Sequence, residues 1–343
     1  MTDLIHPDDH FFVAGSRGMV GSAVCRSLQK KGYGTLSKGG CILAPSREDL
    51  DLLDSYSVNK WYEKHKPDVV ILAAAKVGGI HANTSFPVEF LLENIKIQNN
   101  VIEAAWKTGV RRLLFLGSSC IYPKHAQQPL REESLLSGFL EPTNQWYAIA
   151  KITGIKLCES LRLQYGFDAI SLMPTNLYGP GDNYHSKHSH VLPALIRRFH
   201  KAKLSRKNLV TCWGSGTPLR EFLHVDDLAD ACTFCLEKWS IKSDSAPKDC
   251  FGEPLAFLNV GTGVDVPIEY AANKVAEILD FDGEIYWDKT KPDGTPRKLL
   301  EISRLKEIGW SSRINFNEGL ASTINNYLKH FESSSQSFSR SAI

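Results

Sequence analysis

Glycines at positions 15, 18 and 21 stand between an apolar run, Phe11-Phe12-Val13-Ala14, and a helical stretch that continues to about Lys31. A strand that turns through spaced glycines straight into a helix restricts a chain more sharply than any other feature of this sequence. Gly15 permits the tight turn, Gly18 lets a phosphate approach the backbone, and Gly21 lets the helix pack on the sheet. The helix N-terminus offers unbonded N–H groups and a favourable dipole to an anion. The turn from Gly15 to Gly21, with Ser16, Arg17, Met19 and Val20 between the glycines, is therefore predicted to hold the pyrophosphate of a dinucleotide.

The rest of the chain repeats the strand-then-helix rhythm. Residues 69–73, 113–116 and 169–173 are apolar runs, with a weaker one at Ile42-Leu43, and helical patterns at 88–107 and 147–165 separate them. This alternation predicts an α/β fold built on a Rossmann-type doubly wound parallel sheet. After the turn-rich segment 176–181 the pattern changes. Helices are expected at about 192–201, 225–236, 268–279 and 317–328, with short strands at 210–213, 221–224 and 257–260. They suggest a smaller C-terminal α/β lobe for substrate. The expected division is a dinucleotide-binding domain over residues 1–175, to which segments at about 217–260 return, and a discontinuous substrate lobe over 176–332. The serine-rich tail 333–343 reads as disordered.

Ser118 and Cys120 follow the 113–116 strand. If the extended conformation persists, residues two apart share a face, and a hydroxyl and a thiol enter one cleft. Tyr147 and Lys151 lie four apart on a helix and so share a face. Ser118, Tyr147 and Lys151 together make a carbonyl-reducing site. Tyr147 supplies a proton as hydride reaches the carbonyl carbon, while Ser118 donates to the oxygen. The Lys151 ammonium is expected to lower the tyrosine pKa from its ordinary value of about 10, and it can also bond a nicotinamide ribose. Reduction does not need Cys120, which points to a second reaction. The end of the second strand reads Ala44-Pro45-Ser46-Arg47-Glu48-Asp49. Arg47, with Arg17, suits the 2′-phosphate of NADPH, while Glu48 and Asp49 keep NADH open.

Longer stretches carry a likeness as well: Ala73-Ala74-Ala75-Lys76-Val77-Gly78-Gly79-Ile80, residues 117–124, Glu141-Pro142-Thr143-Asn144, residues 174–180, Trp213-Gly214-Ser215-Gly216-Thr217-Pro218, and residues 220–227 and 291–299. Over residues 11–330 the chain resembles the extended short-chain dehydrogenase/reductase family, in the branch that epimerises C3 and C5 of a GDP-linked 4-keto-6-deoxy sugar and then reduces C4 with NADPH. The resemblance implies that Cys120 and His190 move the protons of the epimerisation. It implies cofactor contacts from the Gly15–Gly21 turn, Arg47, Leu116, Gly117, Ser118, Ser119, Lys151, Pro174, Thr175, Asn176, Leu177 and His190. For the GDP-sugar it implies Arg198 and Arg220 at the diphosphate, Trp213 against a ring and Asp293 on hydroxyls. It also implies a homodimer.

Composition narrows the remaining classes. Forty basic and 38 acidic residues leave a net charge of +2, which gives no reason to expect nucleic acid or a membrane surface as partner. Eight cysteines in 343 residues are too sparse for a disulfide scaffold, so a reducing, cytoplasmic location is expected. The N-terminus lacks a signal-like apolar segment, and no apolar run reaches the length of a membrane span. Cys232 and Cys235 have metal-like spacing but no second ligand pair, and His185, His188 and His190 have no matching carboxylate, so no metal is expected. The nearest rival is a sugar-nucleotide 4-epimerase or 4,6-dehydratase that retains NAD. A non-catalytic cofactor-binding protein would have no use for Tyr147 and Lys151.

Overall fold

The computed structural model describes residues 4–186, 188–291 and 293–340, and the side chains up to residue 332 among them. The first half alternates strands and helices: β1 (His10–Ala14), α1 (Met19–Lys30), β2 (Cys41–Leu43), α2 (Ser55–His65), β3 (Val69–Leu72), α3 (Ile80–Ser85), α4 (Pro87–Lys107), β4 (Arg112–Leu116), α5 (Gln145–Tyr165) and β5 (Ala169–Pro174). The second half comprises β6 (Asn176–Tyr178), α6 (Val191–Leu204), β7 (Leu209–Trp213), β8 (Leu219–His224), α7 (Val225–Lys238), β9 (Phe257–Val260), β10 (Asp265–Pro267), α8 (Ile268–Ile278), β11 (Glu284–Asp288), β12 (Arg297–Lys298), α9 (Ser303–Glu307) and α10 (Phe316–Arg340).

Six strands form one parallel sheet in the order β2-β1-β3-β4-β5-β9. Strands β3, β4 and β5 are buried along their whole length, as expected where helices cover both faces. Alternate residues feed two cores: Phe12, Leu72 and Phe115 pack with α4 and α5, while Phe11, Val13 and Leu114 pack with α1 and α7. β1 leads to β2 on one side and β3 joins it on the other, so a crevice opens beyond their carboxyl ends, where such sheets bind ligands. The doubly wound parallel architecture expected from the alternation is present.

The second lobe has its own core, with Tyr178, Leu195, Phe199, Phe222, Val275 and Leu320. There β8 pairs parallel with β6 and β12 and antiparallel with β10, and β7 pairs with β11. Of the 217–260 segment, α7 and β9 join the large sheet, with Leu228 and Cys232 packing beside Val24 and Leu28, while β8 pairs within the small lobe and reaches the large-sheet core through Leu223. Leu300, Ile302, Leu305 and Trp310 also pack on the large sheet. Such short apolar runs carry no period that assigns them to a core. The last helix runs through the serine-rich stretch, which was expected to be disordered, as far as Arg340. No glycine or proline follows Gly319 to stop it. Residues 341–343 lie outside the described residues. Among the described residues no helix is long and apolar enough to cross a membrane.

Candidate active site

The glycine turn is built for close contact. Gly15 has φ +86°, and a Cβ on it would lie 2.7 Å from the Ala74 nitrogen. A Cβ on Gly21 would lie 2.1 Å from the Gly15 carbonyl oxygen, so only glycine lets α1 start this close to β1. The Gly18 N–H donates to that same carbonyl at 3.0 Å. The first turn of α1 carries no acidic residue to compete with an anion. Ser16 Oγ is buried at the cleft with no partner among the described residues, as a group awaiting a polar ligand is. These features fit a dinucleotide pyrophosphate. Arg17 and Arg47 are exposed on the same wall. Asp49 is already engaged: its carboxylate accepts from Ser46 Oγ at 2.6 Å and Ser46 N at 2.9 Å, which holds its pKa below the usual carboxylate range. The acid expected to compete for a ribose is thereby turned onto its own loop, which leaves Arg47 and Glu48.

Beyond β4 the chain departs from the extended form assumed from sequence. Ser118 Oγ accepts the Cys120 N–H at 3.2 Å and starts a single 3₁₀ turn over Ser119–Ile121. A serine hydroxyl competing for a backbone donor is the physical reason. Ser118 and Cys120 still both face the cleft, and Ser119 is buried beside them. Gly117 lets the Met173 side chain lie against the backbone, where a Cβ would stand 2.3 Å from its Sδ.

Helix α5 brings Tyr147 and Lys151 to the same place, held by Gln98 Nε2 donating to the Ala150 carbonyl at 2.6 Å. Lys151 Nζ donates to the Leu116 carbonyl at 2.8 Å and lies 5.8 Å from the Tyr147 ring centre. Burial pulls the Lys151 pKa down to about 7. Burial, then the nearby Cys120, push the Tyr147 phenol above its ordinary value, and only a hydrogen bond with Ser118 opposes them. The expected lowering of Tyr147 by Lys151 is not seen, and Lys151 is itself desolvated. Tyr147 keeps some accessible surface despite these neighbours, and it lines the cleft.

Cys120 Sγ accepts from Asn144 Nδ2 at 3.4 Å and from Lys298 Nζ at 3.6 Å. His190 precedes α6 and opens on the cleft. The enclosing protein, and then the Lys298 charge, hold its pKa below the usual imidazole value. His190 as a whole residue is exposed while it lines the cleft, so its desolvation is partial. Sequence reasoning did not single out Lys298 or Asn144. Both lie in stretches quoted for the family likeness, but nothing in their spacing marks them.

The remaining residues come from the second lobe. Arg198 Nη1 donates to the Thr211 carbonyl at 2.6 Å, and Arg220 Nη1 to the Leu219 carbonyl at 2.8 Å. Asp293 accepts from Ser215 N at 2.6 Å and Ser215 Oγ at 2.9 Å. Trp213 is 58% exposed, with Lys291 Nζ 6.0 Å from its ring centre. One cleft of about 1320 Å³ runs between the lobes, and every site residue expected from sequence lines it, including Leu116, Gly117, Pro174, Thr175, Asn176 and Leu177. Its size and mixed lining suit a dinucleotide together with a second nucleotide-sized ligand. Among the described residues no cluster of His, Cys, Asp and Glu could hold a metal.

Comparison with known proteins adds to this geometry. Residues 11–244 match the model of the NAD dependent epimerase/dehydratase family. GDP-L-fucose synthase 1 of Arabidopsis thaliana is 52% identical over 319 residues, which is 93% of either chain. GDP-L-fucose synthase of Escherichia coli is 50% identical over 93% of this chain and 96% of its own. Among solved structures, a GDP-L-fucose synthetase from Naegleria fowleri bound to NADP superposes with a TM-score of 0.82 at 27% identity, covering 96% of each chain.

Proposed function

This chain belongs to the NAD dependent epimerase/dehydratase family, and we propose that within it the protein converts GDP-4-keto-6-deoxy-D-mannose to GDP-L-fucose with NADPH. It epimerises C3 and C5 and then reduces C4. The observation that carries this reading is Cys120. A thiol with two hydrogen-bond donors on its sulfur shares one cleft with His190 and with Ser118, Tyr147 and Lys151. Reduction alone has no use for it.

The chemistry follows from the ketone. The 4-keto group acidifies the hydrogens on C3 and C5, so a base can remove one and an acid can return a proton to the opposite face. Cys120 is the base and His190 the acid. Lys298, beside the sulfur, supplies positive charge where the thiol loses its proton. In reduction Ser118 donates to the C4 oxygen and Tyr147 delivers the proton. NADPH, when bound, supplies the hydride. The Gly15–Gly21 turn and Ser16 would hold its pyrophosphate, Arg17 and Arg47 its 2′-phosphate, and Lys151 its nicotinamide ribose. Arg198, Arg220, Trp213 and Asp293 would hold the GDP-sugar.

Residues 1–175 with α7, β9 and the segment 300–310 form the cofactor domain of this proposal, and most of the remainder forms the substrate lobe. The protein works as a homodimer. Val88 and Leu92 of α4, with Trp146 and Ile149 of α5, leave an uncovered apolar face that suits a second copy. All eight cysteines are unpaired, in keeping with a cytoplasmic setting.

Incubation with GDP-4-keto-6-deoxy-D-mannose and NADPH, followed by NMR of the product, tests the reading. GDP-L-fucose should form with one NADPH consumed per product. Formation of a C4 epimer or a dehydrated sugar without net loss of NADPH would reject it.

A further inference from the structure

The segment that carries His190 is fastened to the opposite wall of the cleft. The Gly79 N–H donates to the His188 carbonyl at 3.2 Å, two residues before His190. The contact leaves no room for a side chain, because a Cβ on Gly79 would lie 2.6 Å from the Ser189 carbonyl oxygen. The turn on the far side of this contact is itself fixed at both ends by buried amides. Asn94 accepts from Lys76 N at 2.8 Å and donates to the Lys76 carbonyl at 3.1 Å. Asn83 Nδ2 donates to the Gly78 carbonyl at 2.8 Å and to the Gly79 carbonyl at 3.2 Å. Both asparagines are buried. The turn is thus a rigid block anchored to α3 and α4 in the cofactor domain, and the His190 segment leads into α6 of the substrate lobe. The His188 ring also stands by the His81 and Phe86 rings, at 6.3 and 6.0 Å between centres, and His190 itself begins a helix with no side-chain cap.

We infer that Gly79 and Asn83 are positioning residues for proton transfer by His190: Gly79 latches the 188–190 segment and Asn83 holds Gly79 in place. The inference rests on the proposed epimerase–reductase activity. It separates the two reactions, because Ser118 and Cys120 come from the turn after β4, and Tyr147 and Lys151 from α5, and none of them depends on the latch. A misplacement of about 1 Å can cost about 100-fold in rate, so a Cβ forced between Gly79 and Ser189 should be felt in epimerisation first.

Gly79→Ala and Asn83→Leu test it, the second removing the donors to the two carbonyls without adding a charge. Two assays are run on each variant and on the wild type. One follows deuterium uptake at C3 and C5 of GDP-4-keto-6-deoxy-D-mannose in heavy water with NADP present. The other follows oxidation of GDP-L-fucose by saturating NADP, which uses hydride transfer without epimerisation. Exchange is expected to fall about 10-fold or more in both variants, with oxidation kept within about threefold. Unchanged exchange in both variants would overturn the inference, and so would a parallel fall of both reactions. If the wild type performs neither reaction, the functional reading itself fails instead.

Discussion

Lys298 Nζ lies 3.6 Å from Cys120 Sγ, although the two residues are 178 positions apart in the chain. The same ammonium opposes protonation of His190. One cation therefore hydrogen-bonds the proposed base and, after burial, helps make the proposed acid readier to release its proton. Lys298→Met removes both effects. Hydrogen bonds to charged groups contribute about 1.5–3 kcal/mol, so exchange at C3 and C5 should drop roughly 10- to 100-fold. Alkylation of Cys120 by iodoacetamide should slow in parallel. The reading needs peptide-resolved mass spectrometry, because Cys120 is half-buried and Cys250 is exposed. Lys298→Arg should retain most of both rates, and a methionine variant with wild-type exchange would remove Lys298 from the mechanism.

Tyr147→Phe separates the two chemistries. Loss of a positioned acid costs about 10²- to 10⁴-fold, so C4 reduction should all but stop. Deuterium uptake at C3 and C5 should continue, because Cys120 and His190 are untouched. Near-normal consumption of NADPH by this variant would place the proton donor elsewhere.

Cofactor choice turns on Arg47. With Asp49 committed to Ser46, Arg17 and Arg47 are the cations left on the wall where a 2′-phosphate would sit. Arg47→Ala should raise KM for NADPH about 10-fold or more while changing KM for NADH little, as expected when a charge-assisted contact is lost. Equal effects on the two cofactors would assign the arginine to the surface.

What could be read from the sequence followed from the range of each signal. The glycine turn and the Tyr147–Lys151 pair are local, and both stand where spacing puts them. The Cys120–Lys298 contact depends on β12, a two-residue strand that takes its register from β8, with Lys298 opposite Arg220. A strand that short has no period to detect. Helix α2 also went unseen. Only Val58 and Tyr62 of its face are buried, and its clearest signal is Asp54 capping Tyr56 and Ser57. The extended path from Ser118 to Cys120 failed for a chemical reason, because the hydroxyl bends the chain onto itself. The Tyr147–Lys151 electrostatics failed because sequence shows neighbours but not burial.

That burial gives a pH dependence whose sign can be worked out. In the folded protein burial pulls the Lys151 pKa down to about 7, against about 10.4 in an unfolded chain. Between those values the unfolded chain holds a proton that the folded chain has released. Stability contributed through this group therefore rises with pH above 7, and the cost of the buried ammonium is felt in full below it. The slope is about 1.4 kcal/mol per pH unit where the difference is one whole proton. The thiols of Cys158 and Cys235, pushed up to about 12 by burial, act in the opposite sense above their free pKa of about 8.5. They are common to wild type and variant, so a difference measurement cancels them. Denaturant midpoints of wild type and Lys151→Met, compared from pH 6.5 to 8.5, should diverge, with the wild type gaining relative to the variant as pH rises. Parallel curves would mean that Lys151 keeps its proton in the fold. The lysine would then be a standing cation beside Tyr147, and the phenol's acidity would have to be set by it after all.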